Sequence, residues 1–205
     1  MHHLISIIDY GVGNLRSVEK AFSFLGFEAV VSSDPKVILS SDAVVLPGVG
    51  AFADAMKNLE NAGMISVIKE TIAQNKPFLG ICLGMQLLFQ YSEEGEAVPG
   101  LGVLKGGFKR IPDSLGLKIP HMGWNKLEFN KECSLFSGIH PNPYVYFVHS
   151  YYLADEEKEI VSATVDYGIK FGVAICRGNL FATQFHPEKS SNVGLSMLKN
   201  FANAI

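Results

Sequence analysis

Apolar positions in the first half of the chain follow two alternating patterns. Leu4–Ile8 (LISII), Glu28–Ser32 and residues 43–46 are short runs rich in Val, Ile and Leu. The first run predicts a strand buried on both faces, and the other two read as the second and third strands. Between the first two, Val18, Ala21, Phe22 and Leu25 recur at helical spacing and Gly26 follows them. That pattern predicts a helix with one apolar face, ended by the glycine. Pro35–Ser40 predicts a short helix before the third strand. The order β-α-β-α-β implies a parallel sheet with right-handed crossovers. Helical patterns over 54–59 and 65–73 then deliver the chain to 76–90, KPFLGICLGMQLLFQ. There an apolar run ending at Cys82 turns, within Leu83-Gly84, into the helical pattern 85–89.

The second half changes character. Short strands are expected at Gly107–Arg110, 125–129, Tyr144–His149, 160–165, 172–177 and 179–184, with a turn at Arg177-Gly178-Asn179. These are antiparallel additions to a parallel core. A terminal helix is expected over 193–204, with Leu195, Leu198, Phe201 and Ala202 on one face. No internal repeat divides the chain, so residues 1–205 are expected to form a single α/β domain.

Composition narrows the class. A hydrophobic fraction of 48% with 18% charged residues describes a globular chain with a substantial core. The net charge of −3 gives no basic surface for nucleic acid. The three cysteines, Cys82, Cys133 and Cys176, are odd in number and far apart, and none belongs to a CxxC pair. They argue against a disulfide framework and a structural zinc site, and for a reducing, cytoplasmic setting. No apolar run approaches the roughly 18 residues of a membrane span, and no signal peptide is expected.

Three stretches carry candidate chemistry. A strand that stops on Cys82 and turns directly into a helix has the form of a nucleophile elbow. Gly80 and Gly84 would let the backbone pass closely, and the first N–H groups of the helix would favour a thiolate or hold an oxyanion. The alternative is a buried structural cysteine. LPGVGAF, residues 46–52, follows the third strand and lies at the same sheet edge. It is either a plain strand-to-helix turn or a second backbone oxyanion donor. In QFHPEKS, residues 184–190, His186 and Glu188 flank a proline and point to the same side in extended chain. That suits a base oriented by a carboxylate, although His186 taken alone fits a metal ligand or a surface histidine equally well. The GVGN loop at 11–14 lacks the third glycine of a dinucleotide fingerprint, so no nucleotide cofactor is expected. The acidic stretch 92–96 is ordinarily a solvated surface. His121 and His149 fall in motif-rich loops, while His2, His3 and His140 are expected to be exposed.

GICLGMQ around Cys82 and QFHPEKS around His186 and Glu188 resemble the class I, triad-type glutamine amidotransferases. The set IIDYGVGNLRSV, LPGVGAF, KIPHMGWN, YFVHSYY and ATQFHPEKS is similar, within that class, to the glutaminase subunits of imidazole glycerol phosphate synthase. The resemblance implies a three-layer, flavodoxin-like fold and a Cys82-His186-Glu188 triad that hydrolyses glutamine through a glutamyl thioester. It implies an oxyanion site at Val49, Gly50 and Leu83, with a peptide of the 47–50 loop reorienting before it donates. Gln86, Glu94, Ser150 and Tyr151 would contact glutamine. No metal or cofactor is implied. The implied partner is a (β/α)8-barrel cyclase, forming a heterodimer and receiving ammonia without exposure to bulk water. Tyr10, Asn14, His121, Met122 and Trp124 are the docking candidates, though Trp124 by itself suits core packing as well. Competing expectations are a glutaminase for another acceptor, a stand-alone cysteine hydrolase, or a binding module.

Overall fold

The computed structural model describes residues 3–95, 98–154 and 157–205. The first half alternates as β1 (Leu4–Ile8), α1 (Leu15–Phe24), β2 (Glu28–Ser32), α2 (Pro35–Ser40), β3 (Ala43–Gly48), α3 (Phe52–Asn61), α4 (Met64–Ala73), β4 (Phe78–Cys82) and α5 (Leu83–Leu87). The second half supplies β5 (Tyr91–Ser92), β6 (Val98–Pro99), β7 (Gly107–Arg110), β8 (His121–Lys126), β9 (Glu128–Phe129), β10 (Tyr144–His149), β11 (Tyr151–Leu153), β12 (Val161–Asp166), β13 (Lys170–Arg177) and β14 (Leu180–Thr183), then α6 (Ser191–Ala202).

The main sheet runs β2-β1-β3-β4-β14-β13-β11-β7-β5-β6, with β12 paired to β13 and β9 to β12. From β2 to β14 every pairing is parallel, and β13 and β11 join antiparallel. The sheet thus has the mostly parallel core and antiparallel additions expected. β1, β3 and β4 are apolar on both faces because both are covered, while β2 at the sheet edge is only partly buried. Ile5, Ile7, Val45, Leu79 and Phe181 pack with α1 and α6 on one side. Val44, Leu46, Phe78 and Ala182 pack with α2 to α5 on the other. The result is three layers, helix on sheet on helix.

Sequence and structure part in the second half. The single strand expected over 125–129 is two strands in two sheets. β8 begins at His121 and pairs only with β10, while β9 pairs with β12. Leu127, fully buried between them, carries the chain from one sheet to the other. His121 and His149 therefore lie opposite each other in a ribbon rather than in loops. β11 and the two-residue β5 and β6 are too short to leave a period. α5 stops at Leu87 because the Leu87 and Leu88 carbonyls accept the N–H groups of Leu101, Val103 and Leu104. α6 begins two residues early, and Leu195 is only partly buried beside Met197, Leu198 and Phe201. Among the described residues, no helix is long and apolar enough to cross a membrane. None of them form a group of three or more His, Cys, Asp or Glu that could hold a metal.

Candidate active site

Cys82 is the last residue of β4 and the residue before α5, with φ 55° and ψ −112°. A non-glycine residue in that region is strained, and the strain persists only where the surroundings impose it. Here glycines allow the imposition. A Cβ on Gly84 would stand 1.8 Å from the Leu46 carbonyl oxygen. One on Gly80 would stand 2.9 Å from the Gly84 carbonyl oxygen. α5 can therefore lie directly on β3 and β4, which forces the sharp turn at Cys82.

β14 lies parallel to β4, with Thr183 beside Ile81, so the chain leaving β14 reaches the same edge. The His186 N–H donates to the Tyr146 carbonyl at 3.0 Å, and the Ser190 hydroxyl donates to the His186 carbonyl at 2.7 Å. Held this way, His186 places Nδ1 2.8 Å from Glu188 Oε1, with both side chains almost wholly buried (2% and 1% exposed). Among the described residues, Nε2 closes no hydrogen bond, and neither does Glu188 Oε2. Burial alone would depress the imidazole pKa. Cys82 and Glu188 more than offset this and raise it from 6.5 to about 9.

A cavity of about 280 Å³ opens at this edge. It is lined by Cys82, His186, Val49, Gly50, Leu83, Gln86, Glu94, Ser150 and Tyr151, and also by Pro120, Val148 and His149. All the expected catalytic, oxyanion and substrate positions thus reach one cavity except Glu188, which stands behind the imidazole. Gln86 Nε2 donates to Gln184 Oε1 at 3.0 Å, and Gln184 Nε2 lies 3.7 Å from Cys82 Sγ. Glu94 Oε2 accepts the Phe52 N–H at 2.8 Å, so this carboxylate caps α3 while facing the cavity. Glu96 and His2 lie outside the described residues.

Residues 6–205 match the family described as Glutamine amidotransferase class-I. The chain belongs to that family. Its relatives include the protein named Imidazole glycerol phosphate synthase subunit HisH from Moorella thermoacetica (strain ATCC 39073 / JCM 9320), 53% identical over 98% of this chain and 95% of the relative. Another of that name, from Geobacter metallireducens (strain ATCC 53774 / DSM 7210 / GS-15), is 54% identical over 97% of each. Among solved structures, PurLQS from Thermotoga maritima superposes with a TM-score of 0.77 at 18% identity, covering 99% of each chain. A structure described as glutamine amidotransferase gives 0.76 at 19%, over 98% of this chain and 97% of that one. These two show the shared fold.

In this class I amidotransferase the five docking candidates divide. Met122 and Trp124 are exposed on β8 (53% and 51%), so Trp124 is not a core residue. Tyr10 and His121 are buried and correct the sequence reading, since they present almost no surface to a partner. Tyr10 instead donates its phenol to the Pro47 carbonyl at 3.0 Å, and burial followed by Cys82 raises its pKa. Asn14 is half-buried ahead of α1, its carbonyl accepting the Ser17 and Val18 N–H groups.

His121 belongs to a buried polar chain that alternating residues in two strands create. His149 Nδ1 lies 2.8 Å from the Tyr151 carbonyl, which fixes the proton there. His149 Nε2 then accepts from His121 Nδ1 at 3.0 Å, and His121 Nε2 accepts from Asn125 Nδ2 at 3.3 Å. This run requires both rings to be neutral. Burial lowers His121 to about 4 and, with the neighbouring His121 and His186, lowers His149 to about 3. The sequence reading missed Gln184 altogether. Its two-residue offset from His186 at the end of a strand was the available signal.

Proposed function

We propose that the chain is the glutaminase subunit of an imidazole glycerol phosphate synthase, hydrolysing glutamine to glutamate and ammonia for a partner. The partner would be a (β/α)8-barrel cyclase that makes imidazole glycerol phosphate and AICAR in histidine biosynthesis. What carries the chemistry is Cys82 and His186 opening onto one small cavity, with the buried Glu188 paired to the imidazole behind them. The end-to-end likeness to subunits of that name carries the pathway.

In this reading the imidazole holds the proton near neutrality, because Cys82 and Glu188 both favour its charged form. Cys82 Sγ attacks the side-chain amide carbon of glutamine. His186 Nε2 gives its proton to the departing nitrogen as ammonia leaves. A glutamyl thioester remains on Cys82. His186, now neutral, takes a proton from water; the hydroxide attacks the thioester and glutamate departs. Glu188 keeps Nδ1 protonated and Nε2 aimed at the sulfur throughout. The oxyanion of each tetrahedral intermediate is held by backbone N–H groups of Leu83 and of the Val49–Gly50 loop. Gln86, Glu94, Ser150 and Tyr151 bind the amino-acid end.

Ammonia released into water would be protonated and lose its nucleophilicity. Pro120, Val148 and His149 line the cavity, and β8 and β10 continue from them, carrying exposed Met122 and Trp124. A cyclase seated on that ribbon would cover the mouth. The three free thiols support a cytoplasmic setting.

The test is glutamate release by the purified chain, with and without a barrel cyclase and its nucleotide ligand. Strong stimulation by the pair is expected, and Cys82→Ala should abolish glutamine use while leaving ammonia-driven cyclisation intact. Glutaminase activity indifferent to the cyclase would reassign the acceptor. Loss of both reactions in Cys82→Ala would overturn the division of labour.

A further inference from the structure

Cys133 and Cys176 take no part in the chemistry above, yet the fold brings them together. Cys176 pairs with Phe181 of β14, and Leu180 of β14 lies beside Phe78, the first residue of β4. Cys176 therefore sits toward the end of the sheet opposite Cys82. Cys133 immediately precedes the short 3-10 turn Ser134–Phe136. The segment that carries it is pinned along its length. The Asn130 N–H donates to the Ser162 carbonyl at 2.9 Å. Lys131 Nζ donates to the carbonyl of Cys176 itself at 2.9 Å and to that of Glu159 at 2.6 Å. Asn200 Nδ2 holds the carbonyls of Leu135 and Ser137 at 3.0 and 2.8 Å.

The two half-buried cysteines line one open cleft of about 820 Å³. Their thiols lie close enough for each to shift the other's ionisation. The fully buried Ser162 hydroxyl has no oxygen or nitrogen partner among the described residues and lies against the Cys133 sulfur. Cysteines placed only to fill a core sit among apolar groups, which hold thiols protonated and inert. These pack against the apolar core as well, but they also have the Lys131 ammonium, the Ser162 hydroxyl and each other close by.

We propose that Cys133 and Cys176 form a redox-active dithiol, oxidised to an intramolecular disulfide by a small disulfide of the glutathione type. Cys176 is the attacking sulfur, because the Lys131 ammonium is held at its carbonyl and, with the Ser134 N–H, favours its thiolate. The Cys176 thiolate attacks one sulfur of the oxidant, breaking its S–S bond and releasing one thiolate that takes up a proton. The Cys133 thiol then loses its proton, with the Ser162 hydroxyl placed to donate to the sulfur as charge develops. Cys133 attacks Cys176 Sγ and expels the second small thiol. Two protein thiols and one disulfide become one protein disulfide and two small thiols, two electrons passing to the oxidant. The cleft admits the oxidant without use of the Cys82 cavity.

The experiment uses the folded Cys82→Ser chain, exposed to oxidised glutathione at neutral pH. Thiol titration should fall from two free thiols to none, with no glutathione retained and a peptide joining Cys133 to Cys176. Dithiothreitol should restore both thiols. In Cys82→Ser/Cys133→Ser, glutathione should instead remain on Cys176, because the second attack is missing. Peptide mapping of the oxidised wild-type chain should give the same cross-link, so the result does not hang on one variant's folding. Glutathione stably retained on the Cys82→Ser chain would overturn the proposal. So would two thiols persisting in the folded chain while the denatured chain reacts. Neither readout involves glutamine.

Discussion

Replacing Glu188 by Gln removes one charge and little else, and the structure says what should follow. The carboxylate is 1% exposed and 2.8 Å from His186 Nδ1. Burial is the strongest influence on the imidazole and acts to depress its pKa; Cys82 and Glu188 together lift it to about 9. Without Glu188, Cys82 alone opposes burial, and the His186 pKa should fall well below about 9. The same interaction contributes to stability. A proton bound more tightly by the folded chain stabilises it fully below pH 6.5, and that contribution is lost as pH rises through about 9. Its size is roughly 3 kcal/mol for the interval between those values. Glu188→Gln should remove a large part of it and flatten the alkaline decline in stability. With the ring no longer oriented or charged, kcat for glutamate release should drop by about 10²- to 10⁴-fold. The assay is steady-state glutamate production with the cyclase subunit and its ligand present, alongside a nuclear magnetic resonance titration of the His186 ring. A variant that kept kcat within about tenfold of wild type, with His186 still titrating near 9, would refute the role given to this pair.

Two other outcomes test the local physics. Gly84→Ala puts a methyl group 1.8 Å from the Leu46 carbonyl oxygen, a backbone atom that cannot rotate away. Urea unfolding should show a loss of about 3 kcal/mol or more, and a change under about 0.5 kcal/mol would mean the elbow packs otherwise. His121 and His149 are neutral when folded, so their buried chain stabilises the protein above pH 6.5 and loses that effect as pH falls through about 4 and about 3. His121→Phe retains the stacking on Phe147 and Tyr167 and should flatten the acid side of the stability profile. An unchanged acid slope would remove His121 as its source.

Much of this protein is legible in the chain because local constraints are strong. Doubly buried parallel strands write continuous apolar runs, so β1, β3 and β4 follow from sequence, and the edge strand β2 follows from its place in the β-α-β order. The elbow is legible because close backbone packing admits only glycine at 80 and 84, and the His-Pro-Glu unit because proline fixes its extended geometry. Side chains brought together across the sheet are another matter. Gln184 beside Cys82, the Asn125–His121–His149 chain and the Cys133–Cys176 contact depend on strand register, which no single segment encodes. Burial of Tyr10 and exposure of Trp124 were likewise decided by neighbours. Tyr10 turns inward because its phenol finds the Pro47 carbonyl, whereas Trp124 sits on the exposed face of a two-stranded ribbon. Sequence determined the layers and the reactive residues. Tertiary structure decided their partners, because hydrogen bonds and pKa values are set by what distant segments bring within about 3 Å.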